Sequence, residues 1–240
     1  MYEDKKYGSN YNDITNNKDG NNFNNNEWES MVRETSAYEV RRTQGEYTIE
    51  DYFNLPDDER KELIDGVFYD MASPTHIHQF LAAEIYRSIG NSIERKKGAC
   101  LPFVAPLDVQ LDCDDKTIVQ PDVLILCDKN KLKYGRIYGA PDFVVEVLSP
   151  STSKRDRFLK VMKYENAGVK EYWIVAPDKK RVFVYDLDKD IPMEIYTFFD
   201  KVPIGIFDGT CEVDFSRIYD RMQVLYEDEN NFSDGMDSKA

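Results

Sequence analysis

Between residues 78 and 97 the apolar side chains Phe80, Leu81, Ala83, Ile85, Ile89 and Ile93 return every three or four positions, and Gly98 follows. That spacing lines one helical face and predicts a long amphipathic helix with a glycine stop. Beyond it the period shortens to two. Residues 103–111, 117–126, 142–148, 171–175, 181–186 and 194–199 are rich in β-branched and aromatic side chains, with turn clusters at 112–116 and 177–180, so a series of strands is expected. One helix, over 153–167 and ending at Gly168, falls between the third and fourth of these runs. Ahead of the long helix, Thr48 precedes Glu50 and Asp51 as an N-cap with acids in the first turn. Residues 57–63 read as a second short helix running to Gly66, and 67–71 as a strand. The order of elements predicts an α+β domain, α/β-like in its crossover, with a mixed central β-sheet flanked by helices.

Composition sets the limits. The chain has 240 residues, 41% hydrophobic and 32% charged, which suits one full domain. No apolar run approaches the ~18 residues of a membrane span, so a membrane-spanning role is excluded. Residues 7–26 are dominated by Asn with Asp, Lys and Gly; 1–45 is therefore expected to be mostly a disordered tail, and 227–240 a second, acidic one. The folded domain is expected over 46–226. The first ten residues are polar and lack the apolar stretch of a secretory signal, and a cytoplasmic protein is expected. Cys100, Cys113, Cys127 and Cys211 stand far apart without a C-x-x-C pair, so reduced, buried thiols are expected rather than a disulfide framework or a zinc ribbon.

Charge narrows the partners. The 45 acidic and 31 basic residues give −14, and setting both tails aside leaves 32 against 24. A field of that sign repels a polyanion. Contact with nucleic-acid phosphate has to come from a local basic patch or a bound cation.

Two carboxylates stand out because their neighbours are apolar. Asp122 follows Pro121 and precedes Val123-Leu124-Ile125, while Glu146 interrupts Phe143-Val144-Val145 and Val147-Leu148. Alternation sets Glu146 on one face with Val144 and Leu148. An unpaired buried carboxylate costs several kcal/mol, roughly, so each position asks for a cation or a basic side chain. Two such acids on neighbouring strands can share one divalent ion, and hard oxygen donors suit Mg²⁺ or Mn²⁺. The plainer alternative pairs each acid with its own lysine or arginine. On the following helix Asp156, Lys160 and Tyr164 recur at i, i+4 and i+8 and share a stripe, with Lys163 beside it; Lys154, Arg155 and Arg157 are expected to face solvent or phosphate. His76 and His78 point to different helical faces and have no third ligand nearby, so a zinc site is rejected and His78 is expected to cap the helix or line a cleft. Ser149 and Ser151 lack a histidine partner for acyl-transfer chemistry.

Several linked motifs resemble a known family. Gln120-Pro121-Asp122, the turn Gly139-Ala140-Pro141-Asp142 into Glu146-Val147-Leu148-Ser149-Pro150-Ser151-Thr152, the Asp156/Lys160/Tyr164 helix and the run from Ala167 to Val175 are similar to the Uma2 family of restriction-endonuclease-like proteins. Glu62-Leu63-Ile64-Asp65-Gly66 and His78-Gln79 extend the likeness, which spans about 47–226. That family belongs to the PD-(D/E)XK nuclease superfamily. The resemblance implies a restriction-endonuclease-like fold and metal-dependent hydrolysis of phosphodiester bonds in nucleic acid, with DNA the expected substrate. It implies Mg²⁺ or Mn²⁺ at Asp122 and Glu146. The superfamily's catalytic lysine stands two residues beyond the second acid, where this chain has Leu148; the resemblance moves that role to Lys160 on the helix. Glu62 is implied as a ligand through water, Asp156 and Tyr164 as supporting residues, and a homodimer as the assembly. A second function fits the same fold: a catalytically inactive member that acts as a nucleic-acid-binding or protein-interaction module. Joint retention of Asp122, Glu146 and Lys160 favours the enzyme, and the acidic balance favours the module.

Overall fold

The computed structural model describes residues 45–56, 58–111, 114–149, 153–189 and 193–236, the side chains of 153–158 and 226–236 lying outside that description. Its central sheet runs from edge to edge through Glu194–Thr197 (β12), Arg181–Asp186 (β11), Glu171–Ala176 (β10), Phe143–Val147 (β9), Val123–Leu126 (β6) and Leu101–Val104 (β3). Only β9 and β10 pair in parallel; the other neighbours are antiparallel. A parallel pair needs a crossover, and the helix Ser153–Ala167 (α3) supplies it. The fold is α+β with mixed sheets flanked by helices, restriction-endonuclease-like as expected.

The period-two pattern sorts the central sheet into two apolar faces. Val123, Ile125, Val145, Val147, Trp173 and Val175 face the long helix His76–Arg95 (α2), the hairpin Lys201–Ile204 (β13) and Cys211–Asp214 (β14), and the helix Phe215–Met236 (α4). The opposite face, with Leu124, Val144, Leu148, Tyr172 and Ile174, packs on Tyr164 of α3 and on a second sheet. That sheet orders Val67–Asp70 (β2), Lys61–Ile64 (β1), Ile118–Val119 (β5), Val109–Gln110 (β4), Arg136–Tyr138 (β8) and Leu132–Lys133 (β7). A short helix, Ile49–Phe53 (α1), precedes it and is closed by a capping box in which the Thr48 N–H donates to Asp51 Oδ2 at 2.7 Å. Among the described residues no helix is long and apolar enough to cross a membrane.

Four elements differ from expectation. The second short helix is absent: Lys61–Ile64 is strand β1, paired with β2 in the register Glu62↔Tyr69 and Ile64↔Val67. Its turn is Asp65-Gly66, both at left-handed φ of 51° and 76°, and an Asp-Gly two-residue hairpin overrides the weak helical spacing before it. Asp57 lies outside the described residues. The runs 103–111 and 117–126 each divide between the two sheets, because Pro106 and Pro121 supply no N–H to carry a ladder through. Cys100 and Cys127 are joined in a disulfide, contrary to the expected free thiols. The Leu101↔Leu126 pair of β3 and β6 puts these cysteines opposite one another, Cα to Cα 4.1 Å, although 27 positions separate them in sequence. Cys211 is free and buried, and Cys113 lies outside the described residues. Finally, the backbone of α4 stays helical through Met236, past the domain end expected at Tyr226. Residues 1–44 lie outside the described residues, and with them the expected Asn-rich tail.

Candidate active site

Glu146 projects from β9 toward α3, with Val144 and Leu148 on the same face. Lys160 and Tyr164 stand one turn apart on α3, which lays both over that strand. The Lys160 ammonium lies 2.6 Å from Glu146 Oε1, and the Tyr164 hydroxyl donates to the same oxygen at 2.8 Å. From the second sheet, Glu62 on β1 brings its Oε1 to 2.9 Å from Lys160 Nζ, and that oxygen also accepts the Gln120 N–H at 2.9 Å. Glu62 is fully buried and Lys160 only 2% exposed, so water screens neither partner. Burial, followed by the charge of Glu146, pushes the Tyr164 hydroxyl well above its ordinary pKa of 10.0 and keeps it a neutral donor.

Asp122 sits one residue before β6, just past the Val123↔Val145 pair that ends the ladder with β9. Pro121 before it breaks the strand, and the carboxylate completes the edge in place of backbone: Asp122 Oδ2 accepts the Val147 N–H at 2.7 Å. The same oxygen lies 3.1 Å from His78 Nε2. The Asp122 carbonyl accepts the Ala105 N–H at 2.9 Å, which ties it to β3 as well. His78 therefore lines the site, while Thr75 caps α2 by accepting the His78 N–H at 3.2 Å.

Glu62, Glu146, Lys160 and Tyr164 thus form one hydrogen-bonded cluster, and Asp122 adjoins it through the residue after Glu146. The side chain of Asp156 lies outside the described residues, as do those of Lys154, Arg155 and Arg157. Lys163 turns elsewhere, to Asp65 at 2.7 Å. Sequence reasoning missed Gln120 as a participant. Besides its N–H to Glu62, its amide donates to Asp108 Oδ1 at 2.8 Å and to the Tyr52 hydroxyl at 3.1 Å. It also missed the pairing of His78 with Asp122, since no local spacing links positions on different elements.

Glu62, Asp122 and Glu146 bring three carboxylates together with one lysine, Lys160, and His78. The described residues hold no group of three or more His, Cys, Asp or Glu side chains that could cage a metal ion. Mg²⁺ needs no such cage, because it keeps several waters and takes one or two carboxylates. Two hard oxygen donors at the ends of adjacent strands fit that ion and not zinc, which takes four nitrogen, sulfur or oxygen ligands.

A mixed sheet whose neighbouring strands end in acids, crossed by a helix that lays a lysine over one of them, defines the restriction-endonuclease-like class. The chain belongs to the Uma2 family: the family's model, described as "putative restriction endonuclease", matches residues 49–204. An uncharacterized protein of Synechocystis sp. is 28% identical over 133 residues, 55% of this chain and 68% of that one. The crystal structure of a putative nuclease belonging to DUF820 from Anabaena variabilis has the same fold, with a TM-score of 0.60 at 20% identity over 72% of this chain and 97% of that chain.

Proposed function

We propose that this protein is an Mg²⁺- or Mn²⁺-dependent endonuclease that hydrolyses phosphodiester bonds in DNA, with Asp122 and Glu146 holding the ion. The observation that carries the reading is Lys160, a buried ammonium shared between Glu62 and Glu146 at 2.9 and 2.6 Å. Leu148, in the strand position where the superfamily keeps its lysine, packs into the apolar core, and the helix offers the cation in its place.

Each residue then has a part that follows from its contacts. Lys160 presents a fixed positive charge for the negative charge that develops on phosphorus-bound oxygens, and it needs no reorganisation as the reaction proceeds. Glu62, itself fixed by the Gln120 N–H, holds that lysine from the side of the second sheet. Tyr164 fixes the Glu146 carboxylate by donating to Oε1. Asp122 is oriented by the Val147 N–H and by His78. A dication bound by Asp122 and Glu146 would polarise the phosphate and lower the pKa of a neighbouring water. The homodimer implied by the resemblance belongs to the same proposal, and sedimentation at about twice the 28.0 kDa chain mass is the result expected of it.

Incubation with supercoiled plasmid tests the reading: nicking in Mn²⁺, none in EDTA, and none with Glu146→Gln or Asp122→Ala at unchanged circular dichroism. Calorimetric titration of Mn²⁺ should lose its heat in both variants. A folded wild type that binds DNA and leaves it intact in Mn²⁺ supports the inactive-module reading instead, which the net charge of −14 favours.

A further inference from the structure

We propose that Phe53, Tyr134 and Arg136, flanked by Lys133 and Tyr138, form a stacking platform for unpaired nucleotides of a DNA strand leading to the Lys160 cluster. This inference rests on the nuclease reading and adds the form of its substrate. β7 and β8 make a two-residue hairpin in which Lys133 pairs with Arg136. The turn residues Tyr134 and Gly135 have φ of 54° and 77°. Such a turn favours Asn-Gly, because its first position also requires a left-handed backbone that L side chains rarely adopt. A tyrosine stands there, 84% exposed as a residue. Turn chemistry disfavours that residue and burial does not reward it, which is the pattern of a side chain kept for an external contact.

The neighbouring groups suit a nucleotide strand. The Arg136 guanidinium lies 4.8 Å from the Phe53 ring centroid and 5.8 Å from that of Tyr134, and its Nε donates to Gln110 at 3.0 Å. Phe53 is itself 50% exposed. The Lys133 ammonium lies 5.3 Å from the centre of the Tyr138 ring. Residues 128–136 carry four basic side chains and one acid in a chain of net charge −14, so this segment supplies a local patch of the sign that phosphates need. Exposed aromatic faces beside cations stack on bases that are splayed out; duplex DNA keeps its base faces covered.

The platform is continuous with the site. Phe53 meets Tyr52 edge-on at 5.3 Å. The Tyr52 hydroxyl donates to Asp108 at 2.9 Å and accepts from the Gln120 amide at 3.1 Å, and the Gln120 N–H donates to Glu62 at 2.9 Å. These contacts tie the platform to the partner of Lys160, and on this proposal a strand stacked on Tyr134 and Phe53 runs toward that site.

The test is fluorescence anisotropy of the full chain in EDTA, with labelled single-stranded DNA, the duplex of the same sequence, and RNA. Wild type should bind single-stranded DNA most tightly. Tyr134→Asn, which suits the turn better and leaves the melting temperature unlowered, should weaken that binding about tenfold, and Tyr134→Phe should not. Equal binding by Tyr134→Asn and wild type, or tighter binding of duplex or RNA, overturns the platform. Cleavage of circular single-stranded DNA and of plasmid in Mn²⁺, run in parallel, separates the two claims. Cleavage with unchanged anisotropy in Tyr134→Asn sinks the platform alone, and weakened anisotropy with neither DNA cut by wild type sinks the nuclease reading alone.

Discussion

Lys160 is the residue on which stability and chemistry meet. Replacing it by Met leaves Glu62 and Glu146 buried without the ammonium they share, a loss of about 3–5 kcal/mol in unfolding free energy by urea titration. Adding Glu62→Gln to that variant removes one of the stranded charges and should recover part of the stability. Turnover should stay depressed by about 10²-fold or more, since no cation returns; a double variant that regains activity would show the lysine to be structural only. Glu171 permits a separate test away from the site. Burial lifts its pKa above the ordinary 4.5, against the pull of the Ile206 N–H and the Trp173 indole, 2.8 and 2.7 Å from its oxygens. The folded state therefore holds this proton to higher pH than the unfolded chain does. Its stabilising contribution is full below 4.5 and declines as pH rises through the folded value. The stability difference between wild type and Glu171→Gln, measured by urea unfolding from below that value to neutrality, should fall as pH rises. Lys160 and Tyr164 were legible in the sequence because i and i+4 on a helix state their own proximity. Glu62 was legible as a residue but not as a strand position, and His78 against Asp122 is a tertiary contact that no period encodes.

The β1–β2 hairpin decides where Glu62 points, and its turn leaves little freedom. A Cβ on Gly66 would stand 2.7 Å from the Gly45 Cα, at a φ of 76°. Gly66→Ala should cost about 1–3 kcal/mol by urea titration and lower cleavage with it, because a shifted register withdraws Glu62 from Lys160. A staple acts on the other sheet. The Cys100–Cys127 bond ties β3 to β6 and closes a loop between positions 27 apart, so Cys100→Ser should lower stability by about 2–4 kcal/mol, and thiol labelling of the native chain should report no free thiol at either position. Such bonds persist in oxidising compartments, which sets the cystine against the cytoplasmic location expected from the polar amino terminus. The central strands were legible because continuous β-rich runs with a buried acid have few other homes. Strands β7 and β8, of two and three residues, were not: β8 holds its place by pairing with β4, far away in sequence, and β7 by pairing with β8.

Taken whole, the molecule is an acidic body that must approach a polyanion, and its charge distribution decides how. With net charge −14, long-range attraction does not favour the encounter, and on the proposed reading short-range stacking, the cations of the β7–β8 region and a dication held by Asp122 and Glu146 would supply affinity. Lys129 and Lys133 are exposed and Arg136 half-buried there, while Lys131 already donates to the Ala140 carbonyl at 2.7 Å. Single-stranded DNA releases counterions with a slope of about −0.7 in log affinity against log salt for each phosphate neutralised. Three available cations therefore predict a slope of about −2 in EDTA, and Arg136→Gln should reduce its magnitude by nearly one unit of phosphate contact. A much steeper slope would mean that the strand follows a longer basic track, and the path from Tyr134 to Lys160 would have to be redrawn around it.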